Sequence, residues 1–120
     1  MAAILVADRK VHVRDTLQRR LQREGHTVAV ARTVEDTVSQ LKFWNFDLVV
    51  IEDAFIVGDR SNSIVHALRA SPLTRVILMS HRDAEAEARQ ELEVVKVAGT
   101  LSKPITYGEL DELVGRALAV

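Results

Sequence analysis

Short apolar runs alternate with longer amphipathic stretches five times along these 120 residues, and this alternation constrains the fold more than any other feature. The length of the runs and their content of Val and Ile predict β-strands. Between the runs, apolar residues recur at spacings of three and four, as in Val13, Leu17 and Leu21, which predicts helices with one buried face. The five predicted strands are AILVA at Ala3–Ala7, TVAVA at Thr27–Ala31, DLVVI at 47–51, RVILM at 75–79 and AGTLS at 98–102.

The boundaries of the predicted helices carry their own signals. Thr33 with Asp36, and Thr106 with Glu109, have the spacing of a capping residue and an acid three positions on. Gly25 follows the first helical stretch, as a C-terminal glycine does. The chain therefore reads as a strand followed by a helix, repeated five times.

Strands joined by helical crossovers run parallel, which favours a layered α/β fold. Runs one, three and four are nearly continuous in apolar residues, as in strands buried on both faces, whereas TVAVA resembles an edge strand. An eight-stranded barrel needs about twice this chain length. We predict a flavodoxin-like, doubly wound, five-stranded parallel sheet of strand order 2-1-3-4-5, with helices on both faces and residues 1–120 forming a single domain.

Composition excludes several functional classes. The chain has no cysteine, so disulfides and thiolate metal sites are impossible. The net charge of −1 argues against nucleic-acid binding by this domain alone. The apolar residues 2–7 are followed directly by Asp8, Arg9 and Lys10, too short a run for a signal peptide or a membrane span. We expect a cytoplasmic protein with no membrane contact.

Polar residues follow four of the predicted strands. Asp8 and Arg9 follow strand one, Glu52 and Asp53 follow strand three, and Ser80 and Lys103 follow strands four and five. Carboxyl ends of parallel strands meet at one edge of the sheet, where ligands of such folds bind. Each residue alone is explained as a polar strand exit, but together they suit the binding of an oxyanion.

The sequence does not support an enzymatic function at this edge of the sheet. ADRKVHV stands after strand one where a glycine-rich phosphate loop would be, and no histidine and acid are arranged to activate Ser80. The histidines have no pair at metal-ligand spacing. We therefore expect a protein that is not an enzyme.

The sequence resembles the receiver domain of two-component response regulators over essentially its whole length. The matching segments are ILVAD (Ile4 to Asp8), DLVVIED (Asp47 to Asp53), VILMS (Val76 to Ser80) and LSKP (Leu101 to Pro104), in the order of the family. The resemblance implies a Mg²⁺ held by an acidic pair after strand one, and a phosphoacceptor aspartate at the end of strand three. It also implies a hydroxyl and a lysine that contact the phosphoryl group, and an aromatic switch residue on strand five.

Carried over, Asp8 matches the first acid and is a weak metal candidate, Ser80 matches the hydroxyl and Lys103 the lysine. Arg9 stands in place of the second acid, Glu52 at the phosphoacceptor position and Thr100 at the switch position. Asp8 and Glu52 balance Arg9 and Lys103 in charge without a metal. An inward guanidinium would take the place of the ion, whereas an outward one would be solvated; we expect Mg²⁺ binding to be weak or absent, and no other cofactor.

Glu52 is one methylene longer than aspartate, and a displacement of about 1 Å costs roughly a hundredfold in a positioned reaction. Phosphorylation at Glu52 is therefore disfavoured, although its carboxylate could reach Lys103. Asp53 is an alternative acceptor, but side chains alternate along a strand, so we expect it to face away and to cap a loop or lie on the helix side. We expect the apolar segment AFIV at 54–57 to cover the site.

The resemblance favours a degenerate pseudo-receiver that acts through protein partners, such as a histidine kinase or a downstream effector. A homodimer through the last helices and strand five is a further possibility, and the arginines of helix one, Arg14, Arg19, Arg20 and Arg23, form a second candidate surface. Two alternatives stay open. One is a receiver phosphorylated on Asp53 or Glu52, and the other is a flavodoxin-like protein that binds an anionic ligand.

Overall fold

The sheet has the predicted strand order. The computed structural model of the protein describes residues 1–56, 61–80, 88, 90, 92, 95 and 97–119. Its strands pair in parallel in the order β2-β1-β3-β4-β5, which confirms the doubly wound, flavodoxin-like fold. The strands are β1 (Ala3–Ala7), β2 (Thr27–Ala31), β3 (Leu48–Glu52), β4 (Arg75–Ser80) and β5 (Val97–Ser102).

The helices begin where the capping signals predict. Thr33 Oγ1 accepts a hydrogen bond from the Asp36 N–H at 3.0 Å, and Thr106 Oγ1 accepts one from the Glu109 N–H at 3.3 Å. Gly25, after the first helix, has a φ of +94°, a left-handed conformation that favours glycine. The described helices are α1 (Val11–Arg23), α2 (Val34–Phe43), α3 (Ser61–Arg69) and α4 (Tyr107–Leu118), with a short 3-10 helix at Asp53–Phe55.

Helices cover both faces of the sheet, as predicted. On one face, α2 and α3 pack their apolar stripes, such as Leu41 and Ile64, against β1, β3 and β4. On the other face, α1 and α4 contribute Leu17 and Leu110. Of the helical stripe predicted at Ala84, Ala88 and Leu92, Ala84 lies outside the described residues, and Ala88 and Leu92 are buried in the core on the face of α2 and α3.

The central strand positions the site. All five residues of β3 are buried, and the strand extends one residue beyond the predicted end, so Glu52 is its last residue. β2 lies at the edge of the sheet, as its weaker apolar pattern predicts. Phe55 and Ile56 are buried in the core directly after β3, whereas Val57 of the predicted apolar cover lies outside the described residues.

Within the described part of the chain, no helix is both long and apolar enough to span a membrane.

Candidate functional site

Side chains from the ends of β1, β3 and β5 form one charged cluster at the carboxyl edge of the sheet. The side chains of Asp8 and Glu52 are fully buried, and that of Lys103 is 9% exposed. The strand order explains why these side chains meet. β1 and β3 are neighbours, and only β4 separates β3 from β5. A buried charge is costly unless it is paired, so the contacts within this cluster determine what it can do.

Arg9 pairs with Glu52 through its side chain and its main chain. Its N–H and its Nε donate to Glu52 Oε1 at 2.7 and 2.9 Å, and its Nη2 donates to Oε2 at 3.4 Å. The sequence left two orientations of Arg9 open, and the structure shows the inward one. Although the Arg9 side chain is 57% exposed, its guanidinium lies across the carboxylate of Glu52.

Lys103 joins the two buried acids. Its Nζ donates to Asp8 Oδ2 at 2.8 Å and lies 3.6 Å from Glu52 Oε2, the latter an ion pair rather than a hydrogen bond. Asp8 Oδ1 accepts a further hydrogen bond from the Lys10 N–H at 2.8 Å. The two acids and the two bases therefore neutralise each other, and the four carboxylate oxygens all have partners.

The ion pair shifts the acid–base properties of both partners. Burial alone would raise the pKa of Glu52, but the hydrogen bonds from Arg9 and the charges of Lys103 and Arg9 outweigh it, so this pKa lies below its ordinary value. The hydrogen bond and the charge of Glu52 raise the pKa of Arg9. Both groups are thus held in their charged forms.

The structure corrects the expectation for Asp53. Its side chain is buried and accepts a hydrogen bond from Ser80 Oγ at 3.1 Å, so it contacts another residue of the predicted site instead of facing away. The prediction relied on strand alternation, which ends at Glu52 because the chain turns into the 3-10 helix at Asp53. Thr100 lies on β5 and is partly buried.

Arg14 supports the cluster in a way that the sequence analysis missed. Its Nη1 donates to the carbonyl oxygens of Asp8 and Arg9 at 2.9 and 3.0 Å, and so fixes the loop that carries both residues. The sequence analysis placed Arg14 and Arg20 on a candidate surface for binding a partner. Arg20 is also engaged within the chain, because it forms an ion pair with Asp111 and lies 4.8 Å from the centre of the Tyr107 ring. The one available signal for Arg14 was its place one turn into α1, within reach of the preceding loop.

The residues present do not fit the Mg²⁺ that a receiver site implies. Magnesium requires oxygen ligands in near-octahedral geometry, but Arg9 supplies a cation where the family has an acid. The guanidinium and the main-chain N–H of Arg9 donate hydrogen bonds to the Glu52 carboxylate, and Lys103 Nζ donates one to Asp8 Oδ2. In the part of the chain that the structure describes, no group of three or more His, Asp or Glu side chains is placed to hold a metal ion.

A parallel sheet of order 2-1-3-4-5 that gathers two acids and a lysine at its carboxyl edge is the arrangement that the resemblance to receiver domains predicts. The family model of the response regulator receiver domain matches residues 4–115, so the chain belongs to that family. It is a receiver domain of two-component signalling, and such domains are generally signalling modules that interact with kinases and effectors. None of the curated proteins matches the chain.

Solved structures share the fold at low sequence identity. A CheY-like receiver domain protein from Methanospirillum hungatei JF-1 is 19% identical with a TM-score of 0.86, covering 98% of this chain and 94% of that one. The N-terminal domain of a response regulator/sensory box/GGDEF 3-domain protein from Carboxydothermus hydrogenoformans is 22% identical with a TM-score of 0.82, covering 97% and 93%. Chemotaxis protein CheY4 of Vibrio cholerae is 22% identical with a TM-score of 0.81, covering 98% and 99%.

Proposed function

We propose that this chain is a pseudo-receiver, a module that signals through protein contacts without accepting a phosphoryl group at Glu52 and without Mg²⁺. One observation carries the proposal. The Glu52 carboxylate is fully buried and accepts three hydrogen bonds from Arg9, with Lys103 3.6 Å away. The acid at the phosphoacceptor position is therefore already occupied by groups of the protein itself.

The chemistry of phosphoryl transfer supports this proposal. A carboxylate oxygen must attack phosphorus in line with the leaving group, and cations must neutralise the charge that the phosphoryl oxygens bring. Glu52 Oε1 faces two donors from Arg9, so an attack by that oxygen requires both hydrogen bonds to break. Lys103, the cation that would contact the phosphoryl group, is held by Asp8 at 2.8 Å.

The receiver family supports two classes of protein partner. We propose a histidine kinase or a downstream effector as the partner, bound in the cytoplasm, with no role for nucleic acid or membrane at this domain. A homodimer through the last helices and β5 is a second proposed mode of association. Thr100 at the switch position carries no ring, so we propose that an aromatic rotation does not report the state of the site.

The intact mass of the protein after incubation with Mg²⁺ and acetyl phosphate tests the proposal. Three proteins are compared: the wild type, Glu52→Asp, and the double variant Glu52→Asp with Arg9→Asp. We expect the wild type to gain no phosphoryl group and the double variant, which restores both acids of the family pattern, to gain one. The result for Glu52→Asp alone shows whether Arg9 is a second obstacle.

A phosphorylated wild type would overturn the proposal. Peptide mapping of the adduct would then distinguish the two acceptors that the sequence left open, Glu52 and Asp53. The Asp53 carboxylate is buried and accepts a hydrogen bond from Ser80 Oγ. An adduct there would establish a phosphorylated receiver all the same.

A further inference from the structure

A groove of about 530 Å³ lies between the start of α1 and the segment that connects β5 to α4, and it adjoins the charged cluster at Lys103. Its apolar lining includes Val13 and Leu17 of α1 and Pro104 and Ile105 after β5. Tyr107, at the start of α4, forms another part of the wall. Volumes between about 300 and 1,000 Å³ with apolar walls are typical of sites for small organic molecules.

The formal charges that line this groove are those of Lys10 and Lys103, and Lys103 is paired with Asp8 and Glu52. His12 also lines the groove, and none of the described residues that line it is acidic. The side chains of Lys10 and His12 are exposed and have no hydrogen-bond or ion-pair partner among the described residues. A ligand that matches both the apolar walls and the basic side chains of the groove needs an apolar body and a negatively charged end.

The groove is largely preformed. Tyr107 lies against the Arg20 guanidinium, 4.8 Å from its ring centre, and Arg20 is in turn paired with Asp111 of α4. This network connects α1 to α4 on either side of the groove. A wall that is already fixed costs little ordering entropy when a ligand binds.

We propose that this groove binds a small amphipathic carboxylate, with its ring or chain on Val13, Leu17 and Ile105 and its carboxylate near Lys10 and His12. Lys103 lines the same groove and forms ion pairs with Asp8 and Glu52, so occupancy of the groove is linked to the cluster. The ligand would thereby regulate a module that takes no phosphoryl group. That regulatory role rests on the proposed function, whereas binding itself does not.

Amide chemical shifts of the labelled protein during titration with indole-3-acetate test the proposal, with the neutral indole-3-acetamide as the matched probe. We expect the carboxylate to perturb residues 10–17 and 103–107, and the amide to bind about 10-fold more weakly, which corresponds to about 1.4 kcal/mol. Lys10→Gln combined with His12→Gln should weaken the binding of the carboxylate by a similar factor. Both positions are exposed, so this variant retains the fold.

Val13→Asp places a like charge on the groove wall and should abolish binding of the carboxylate. Val38→Asp is its control, because Val38 is also a partly buried helical valine but lines a separate groove between α2 and α3. No perturbation at millimolar indole-3-acetate, equal binding of the amide, or binding that survives Val13→Asp would each overturn the proposal. The phosphoryl-transfer experiment has a separate readout, so either proposal can fail without the other.

Discussion

Arg9 changes the chemistry of this receiver site because it brings a cation attached to the chain. In the family pattern that position is acidic, and three carboxylates require a divalent ion beside the lysine. Here the guanidinium and the main-chain N–H of Arg9 hold Glu52, while Lys103 holds Asp8. Charge-assisted hydrogen bonds of this kind are stronger than neutral ones, which favours a fixed arrangement of the cluster.

At the residue scale, the acid stability of the protein reports on Glu52. Its pKa is below the ordinary value of 4.5, so the stability that it contributes is complete above pH 4.5 and is lost as the pH falls through the folded-state pKa. We expect Glu52→Gln to be less stable than the wild type at neutral pH, because Arg9 then loses its countercharge and Lys103 keeps only Asp8. The difference should shrink below pH 4.5.

Urea denaturation of both proteins across this pH range measures the difference. Asp111, whose pKa the hydrogen bond from Arg20 also lowers, is present in both proteins and cancels in the comparison. A stability difference that is constant from neutral to acid pH would mean that the charge of Glu52 contributes nothing, and it would contradict the description of the cluster.

Sequence reasoning reached the members of the cluster but not all of their contacts. The strand ends predicted that Asp8, Glu52 and Lys103 converge, since parallel strands deliver their ends to one edge. The direction of Arg9 stayed open, because an exposed long side chain has both solvent and carboxylate within reach. The predicted orientation of the Asp53 side chain was wrong, because the alternation of side chains along a strand was applied one residue beyond the end of β3.

At the scale of elements, the close packing of β5 against α4 depends on Gly99. A Cβ added there would lie 2.4 Å from Leu113 Cδ1, closer than side chains approach without moving. We expect Gly99→Ala to cost about 1–3 kcal/mol by overpacking. Leu113→Ala alone should cost about 2–5 kcal/mol through a cavity, and the double variant should cost less than the sum, because the small side chain removes the clash.

Urea denaturation of the single and double variants completes this cycle. Gly115→Ala is the control, because Gly115 lies within α4 and a Cβ there meets nothing within 4 Å. That substitution should be neutral or stabilise the helix by up to about 1 kcal/mol. If the changes in the free energy of unfolding caused by Gly99→Ala and Leu113→Ala are strictly additive, a side chain at position 99 does not clash with Leu113, and the prediction is wrong.

The elements themselves were predictable to within about a residue at most ends, because buried parallel strands are nearly pure apolar runs. β1 and β2 have the predicted bounds, and β4 runs one residue further, to Ser80. Thr33 and Thr106 cap their helices as their spacing predicts. The groove was not predictable in this way, because its walls combine α1 with residues about ninety positions later in the chain.

At the scale of the whole molecule, the fold agrees with the receiver family and the charged cluster departs from it. The family model covers residues 4–115, and the strand order is the one that places a ligand edge between β1 and β3. The fold therefore keeps the strand order of the family, while Glu52 and Asp8 at that edge are paired with Arg9 and Lys103. The central claim is our proposal that Arg9 takes the role of the metal ion.

Isothermal titration calorimetry with Mg²⁺ tests this claim most directly, on the wild type and on Arg9→Asp. We expect no binding heat for the wild type and measurable binding for Arg9→Asp, because that variant places a second acid beside Asp8 and removes the guanidinium from Glu52. Saturable Mg²⁺ binding by the wild type, as tight as that of Arg9→Asp, would contradict the claim that the guanidinium occupies the role of the ion.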